Sequence, residues 1–240
     1  MYNALLMNEL SDFPIARKWP AKFPGRIQLY SLPTPNGVKV SIMLEETSLA
    51  YEPHLVRFAT NDQKTPEFQS LSPNGKIPAI IDPNGLDNKP LPMFESGAIL
   101  LYLAEKSGKF IPAGKSGQYE VLQWIMFQMS FIGPMFGQVG FFNKFAGKAY
   151  EDKRPLERYV EESKRLLSVL DHRLGKRTWM MGGDYTIVDM SVFPWVRNLI
   201  GYYEAADLVG ISNFPNVTRT LAAFLARPAV ARGLKIPAEG

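Results

Sequence analysis

Two neighbouring stretches restrict this chain more than any others: Ser72-Pro73-Asn74-Gly75-Lys76-Ile77-Pro78-Ala79-Ile80-Ile81 and Phe94-Glu95-Ser96-Gly97-Ala98-Ile99. The first reads as a turn entering a buried strand. Proline cannot donate to a sheet ladder, so Pro78 belongs at the beginning of that strand, where a cis bond is also admissible. The second reads as a strand ending in Glu95-Ser96 at the mouth of a helix, with Ser96 as its cap. Helix-terminal amides and a hydroxyl attract a carboxylate. Glu95 beside them offers the opposite charge to an ammonium. The corner therefore suits a small ligand that carries both groups, the α-amino-acid end of a molecule. Its structural alternative is a plain helix cap.

The surrounding pattern gives the fold class. Ile27–Leu32 is a strand candidate, Pro33-Thr34-Pro35 a turn, and Val40, Met43, Leu44 and Thr47 recur at helical spacing. Tyr51–Phe58 follows as a strand and Pro66–Leu71 as a short helical segment. Ile77–Asp82 and Leu91–Phe94, joined by a Pro- and Gly-rich loop, read as a hairpin before a last helix. The order βαβαββα predicts a small α/β layer domain over 27–107. From Gly108 on, strand signals disappear, and 115–235 reads as an all-helical domain. Within it, Gly133-Pro134 is expected to kink or break a helix. Val160, Leu166, Leu167, Leu170 and Leu174 form one apolar stripe, and Thr186-Ile187-Val188-Asp189 has the form of a capping box. Residues 1–26, with Pro14, Pro20 and Pro24 and little periodicity, read as an extended N-terminal arm, a candidate for packing on a partner subunit.

Composition removes several chemistries. The chain has no cysteine, so disulfides, cysteine-based metal sites and a cysteine nucleophile are excluded together. Any thiol chemistry must use a thiol supplied by a ligand. His54 and His172 stand in unrelated contexts, which argues against a histidine metal site or a serine–histidine triad. The net charge of +4 is spread among acids, as in Glu161-Glu162-Ser163-Lys164-Arg165, so no dedicated nucleic-acid surface is expected. The apolar run Ala98–Ala104 is too short to span a bilayer. Glu9 and Asp12 interrupt the opening residues, so no signal peptide, no membrane association and a cytoplasmic location are expected.

Together with Thr34-Pro35-Asn36-Gly37, the two stretches, the second extended through Leu100-Leu101-Tyr102-Leu103-Ala104-Glu105-Lys106, make the chain resemble a glutathione transferase from about residue 27 to 235. Within that family it is most similar to the bacterial nu class, whose members reduce disulfides with glutathione; fungal nitrogen-regulator relatives look similar too. The resemblance implies a thioredoxin-like domain followed by an all-α domain, a homodimer, glutathione as cosubstrate and no metal. It also assigns roles. Ile77 presents its backbone to the cysteinyl part of glutathione beside Pro78. Glu95 and Ser96 hold the γ-glutamyl end, and Gln63 and Lys76 reach the glycyl region. Arg158, in Leu156-Glu157-Arg158-Tyr159, reaches the ligand from the helical domain. Asn36 and Thr34 stand near the sulfur. In place of the family's glycine-rich segment before the glutamine, this chain has Ala59-Thr60-Asn61-Asp62-Gln63.

The implied chemistry is coherent. A thiolate attacks a disulfide, so a protein without its own cysteine must favour the ionised ligand thiol. Asn36 can donate an amide N–H, Thr34 a hydroxyl, and a helix amino terminus adds partial positive charge. Two rival functions remain: a transferase conjugating glutathione to electrophiles through Tyr30, Ser31 or Asn36, and a non-catalytic glutathione-binding regulator. Structural alternatives also stand beside the site roles. Asn36-Gly37 is a common hairpin turn, Arg158 can pair with Glu161 or Glu162, and Gln63 and Lys76 can be plain loop residues. Tyr30 lies on a strand face that alternation alone does not identify. Trp124, Phe127, Phe131, Phe136, Phe141 and Phe142 read as core, with part of the group available to line an apolar cleft.

Overall fold

The computed structural model describes residues 9–238, which group into two compact units. The first holds the described residues up to Ser107 together with those from Ala229 onward; the second is Gly108–Pro228.

Four strands build the first unit: β1 (Ile27–Ser31), β2 (Tyr51–Leu55), β3 (Ala79–Asp82) and β4 (Leu91–Phe94), in the order β2-β1-β3-β4. β1 runs parallel to β2 and antiparallel to β3, and β4 closes the hairpin antiparallel to β3. Helices α1 (Ile15–Lys18), α2 (Pro35–Thr47), α3 (Pro66–Leu71) and α4 (Ser96–Ser107) complete the thioredoxin-like layer. β2 stops at Leu55 rather than Phe58, because the chain turns there and Asp62 accepts a hydrogen bond from the Arg57 amide at 2.9 Å.

Strand alternation separates two apolar layers. Tyr30, Ala79 and Ile81 point into a cluster with Phe68, Leu71, Val56 and Ile77. Leu29 and Ile80 point to the other face, and α2 and α4 pack on each other to close that side.

The N-terminal segment departs from the expected arm. Residues 1–8 lie outside the described residues, but 9–26 fold back onto their own domain. Leu10, Phe13 and Ile15 are members of the Tyr30 cluster, with Trp19 packed against it. The Trp19 indole donates to the Leu55 carbonyl at 3.1 Å, Lys18 pairs with Asp62 at 2.8 Å, and Glu52 accepts the Lys22 and Phe23 amides at 2.9 and 2.7 Å. The apolar residues responsible are too irregularly spaced to register as a helix or strand, so only their packing reveals the role.

The second unit is helical throughout its regular structure: α5 (Lys115–Phe127), α6 (Gly133–Asn143), α7 (Arg154–Leu174), α8 (Ile187–Ile200), α9 (Ala206–Val209) and α10 (Pro215–Leu225). Gly133-Pro134 does not break the chain's helical course. A widened π-helical turn, Gln128–Ile132, absorbs the proline's missing donor and joins α5 to α6. The resulting stretch, Lys115–Asn143, is long and apolar enough to cross a membrane by length and composition. In this fold it packs against α7 and α8. The expected stripe on α7 is buried, Val160 through Leu174.

The capping box at α8 forms: Thr186 Oγ1 accepts from the Val188 amide, and Asp189 accepts from the Thr186 and Met180 amides at 3.0 and 2.8 Å. A last helix, α11 (Pro228–Gly233), lies beyond the final amphipathic pattern of the sequence. From Ala229 it belongs with the first unit: Ser41 donates to the Gly233 carbonyl at 2.6 Å, and Arg232 pairs with Glu45.

Two stability predictions follow from these contacts. Phe13→Ala should cost about 3–5 kcal/mol in urea unfolding, as for a core aromatic; a loss below about 1 kcal/mol would return the segment to a loosely attached arm. Asp189→Ala strands two buried amides and should cost about 2–5 kcal/mol in the same measurement, whereas a near-neutral result would mean that water satisfies them.

Candidate active site

The site is assembled by strand register. Tyr30 pairs with Ala79 and Ala79 with Phe94, so the next positions outward, Ser31, Pro78 and Glu95, arrive side by side at one end of the sheet. Each then leads to a residue named by the sequence: Thr34 and Asn36 after β1, Ile77 before β3, Ser96 after β4. The Ile77–Pro78 bond is cis, and both side chains are buried.

Gly37 brings the first of these segments into place. A Cβ at this position would collide with the Leu32 carbonyl oxygen and crowd the Ser31 hydroxyl. Its absence lets the start of α2 lie against the strand end that precedes it. Pro35 occupies the first turn, where its missing N–H costs nothing. The segment is thus a helix start and not a hairpin turn. Thr34 stands at the N-cap with extended backbone, but its hydroxyl makes no capping bond. Asn36, half-buried, follows in the first turn, where helix amides lack intrahelical partners.

At the second segment, Ser72 donates to the Lys76 carbonyl at 2.8 Å, and the Gly75 amide donates to Ser72 at 2.8 Å with Gly75 at a φ of 61°. Gly75 lies against the carbonyl of Gln63, which sets the Gln63 loop beside this turn despite its unusual preceding residues. The Gln63 side-chain oxygen is buried without a hydrogen-bond partner among the described residues. Lys76 is exposed.

At the third segment, the structure moves the helix boundary by one residue. Ser96 is the first residue of α4, and Glu95, whose carbonyl accepts from the Ile99 amide at 3.0 Å, occupies the cap position. Glu95 is held at a φ of 70°, in the left-handed region that side chains rarely adopt. Its carboxylate is exposed while Ser96 is buried.

A residue that sequence reasoning passed over completes this corner. Lys39, on α2, is fully buried, and its ammonium donates to Ser96 Oγ at 3.3 Å. The signal was present: Val38, Val40, Ile42, Met43 and Leu44 leave α2 apolar nearly all round, so a lysine among them has no polar face to occupy.

The alternatives for the remaining residues resolve differently. Tyr30 is fully buried; its hydroxyl has no partner among the described residues, and its ring stacks on His54 at 4.8 Å. Burial, reinforced by the charge of Glu52, holds the phenol far above its usual range of ionisation. It belongs to the core. Ser31 is also buried, with its hydroxyl near the Leu32 carbonyl at 3.4 Å. Arg158 lies in the second unit, exposed on α7 and within electrostatic reach of Glu162, which is paired with Arg165 at 2.7 Å. Of the aromatic group, Phe136 is core and Phe131 is exposed. Among the described residues, no group of three or more histidine, aspartate or glutamate side chains is arranged to hold a metal ion.

Comparison with known proteins agrees with this architecture. Residues 25–105 match the glutathione S-transferase N-terminal domain, and 125–228 match the glutathione S-transferase C-terminal domain. The chain is 40% identical over 215 residues to disulfide-bond oxidoreductase YghU of Escherichia coli, covering 86% of this chain and 73% of the relative. It is 44% identical over 172 residues to disulfide-bond oxidoreductase YfcG of the same organism, covering 71% and 79%. A glutathione transferase from Burkholderia graminis, crystallised with two glutathione molecules per subunit, superposes with a TM-score of 0.96 at 70% identity, covering 98% of each chain. One from Pseudomonas putida, with one glutathione disulfide per subunit, gives 0.94 at 66%, covering 95% of this chain and 99% of that one. With both domain types present in order and relatives of this identity, the chain belongs to the glutathione S-transferase family and is a glutathione transferase-like enzyme.

Proposed function

We propose that this protein binds glutathione at the three strand ends and uses its thiolate to reduce small or mixed disulfides, as a homodimer of the nu-class type. The observation that carries the reading is the convergence of the Asn36 helix start, the Ile77–Pro78 edge and the Glu95–Ser96 corner in a chain without cysteine.

Glutathione fits the corner by charge. Its α-amino-acid end meets Glu95 through the ammonium and Ser96, with the α4 amides, through the carboxylate. Ile77 offers its backbone to the cysteinyl unit, and Gln63 and Lys76 take the glycyl end. The sulfur then lies by Thr34 and Asn36, where the α2 amino terminus and the Asn36 amide stabilise negative charge.

The reaction balances without a protein redox group. The bound glutathione thiolate attacks one sulfur of the disulfide; that S–S bond breaks, and the leaving thiolate takes a proton. A second glutathione thiolate attacks the mixed disulfide, giving glutathione disulfide and a second product thiol. The occupants reported for the two Burkholderia and Pseudomonas relatives, two glutathiones in one and glutathione disulfide in the other, are the reactant and product of such a step. Burial of Tyr30 removes one hydroxyl on which the conjugating alternative relied.

Turnover of a small model disulfide, run beside conjugation of a chloronitrobenzene, tests the reading. Wild type should favour the disulfide, and Asn36→Ala should lose about 10²–10³-fold in kcat, the scale of removing one donor from a developing anion. Strong conjugation with negligible disulfide turnover would assign the protein to the conjugating enzymes instead. Ser96→Ala should raise the glutathione KM about 10–100-fold with a smaller effect on kcat, since it removes a hydrogen bond to a charged group far from the sulfur. An unchanged KM would move the ligand away from this corner.

A further inference from the structure

The loop that carries Gln63 has little of its own to hold it in place. Within residues 57–64, Asp62 is buried and Gln63 half-buried, while Arg57 to Asn61 and Lys64 are exposed. Phe58, its one large apolar residue, is 43% exposed, so no apolar anchor fixes the turn. Asp62 sets its shape instead. The Arg57 amide donates to Asp62 Oδ2 at 2.9 Å and the Asp62 amide to the Arg57 carbonyl at 3.1 Å, so the loop closes on itself. Asn61, at a φ of 54°, leads from the closed loop into the short 3-10 turn Asp62–Lys64 that contains Gln63.

The ties between this closed loop and the rest of its domain come from the N-terminal segment. Lys18 Nζ lies 2.8 Å from Asp62 Oδ1, the carboxylate oxygen opposite the one that takes the Arg57 amide. The same ammonium stands over the Trp19 ring at 5.2 Å, and the Trp19 indole donates to the Leu55 carbonyl at 3.1 Å, where β2 ends and the loop approaches. Trp19 also packs edge-on against Phe68 of α3, the helix that follows the loop, at 6.3 Å. The loop is thus held at its centre and at both flanks from Lys18 and Trp19. The matched N-terminal domain begins at residue 25, so these anchors come from sequence ahead of it. Burial works against the charge on Asp62, but the hydrogen bonds from Lys18, the Arg57 amide and Thr60 outweigh it and hold the carboxyl below its usual range.

We propose that Lys18 is a positioning residue: through Asp62 it fixes the Gln63 loop against the Gly75 turn, and so gives the site its selectivity for the glycyl end of glutathione. This rests on the reading of the strand-end corner as a glutathione site with Gln63 at the glycyl end. The physical reason is preorganisation. A loop that must be ordered when the ligand arrives subtracts that cost from affinity, whereas a loop ordered by folding does not. Attachment of the N-terminal segment does not by itself account for the ion pair. Leu10, Phe13 and Ile15 already hold that segment in the core, and Glu52 holds its far end through the Lys22 and Phe23 amides. What Lys18 adds is a fixed place for the residue next to Gln63.

The test compares two probes by calorimetric titration: S-methylglutathione, and γ-glutamyl-S-methylcysteine amide, which lacks only the glycyl carboxymethyl group. Wild type should bind S-methylglutathione about 10–100-fold more tightly, the scale of hydrogen bonds to a charged group. Lys18→Met should reduce that preference to a few-fold while leaving affinity for the amide almost unchanged, and Lys18→Arg, which keeps a cation on Asp62, should retain it. A purely structural ion pair would weaken both probes alike, and that result, or an undiminished preference in Lys18→Met, would overturn the role of Lys18. Amide hydrogen exchange on wild type needs no variant, so it decides the matter even if Lys18→Met does not fold. The Arg57 and Asp62 amides should exchange slowly in the free protein and no more slowly with S-methylglutathione bound; protection gained only on binding would overturn the preorganised loop. Equal binding of the two probes by wild type would overturn the selectivity while leaving the glutathione site standing. Failure of wild type to bind either probe would overturn the site and the role of Lys18 together.

Discussion

The register that aligns Tyr30 with Ala79 and Ala79 with Phe94 is the constraint on which the rest of the site depends. A shift of one residue in any of these pairings would exchange the two faces of the strand and send Tyr30 or Ile80 into the wrong layer. Pro78 helps to fix it, because a residue without an N–H ends the ladder at that point. The ladder's end then leaves three chain segments side by side. Gly37 allows the α2 helix to begin against that edge, so a helix terminus is added to the same corner.

Support for the register comes from the layer beneath it. Tyr30, Ala79 and Ile81 share a core with Phe68 and with Leu10, Phe13 and Ile15 of the N-terminal segment. That segment is tied by Trp19, Lys18 and the two amides on Glu52, so it is a wall of the domain. The Tyr30 cluster thus fills one face of the small sheet, while the three site segments meet at the end of its strands. A hydroxyl that sits on the structural face, such as that of Tyr30, is withdrawn from chemistry by its burial.

In the proposed mechanism the protein contributes placed charge and not reactive groups. Partial charges at two helix termini and an exposed glutamate surround a ligand that brings the nucleophile itself. Such dipoles and charges act strongly where water is excluded, and their orientation is set by folding before the ligand arrives.

Much of this was legible in the sequence, for local reasons. Pro78, Gly75, Gly37, Thr186 and Asp189 each impose a backbone or capping requirement within a few residues of themselves, and α7 announced itself by a single apolar stripe. The sequence by itself therefore determined the two domain types, the order of the strands and helices of the first, the absence of a protein thiol and the three segments that meet at the site. Interactions between residues far apart in the chain had no such local mark. Only the tertiary structure decided that residues 9–26 close the core, that a π-helical turn carries the helix past Pro134, that Tyr30 faces inward, and that Lys39 reaches Ser96 across 57 positions of chain. The reason is the same in each case: burial and electrostatic coupling are properties of neighbours in space, and the spacing of residues along the chain does not encode them.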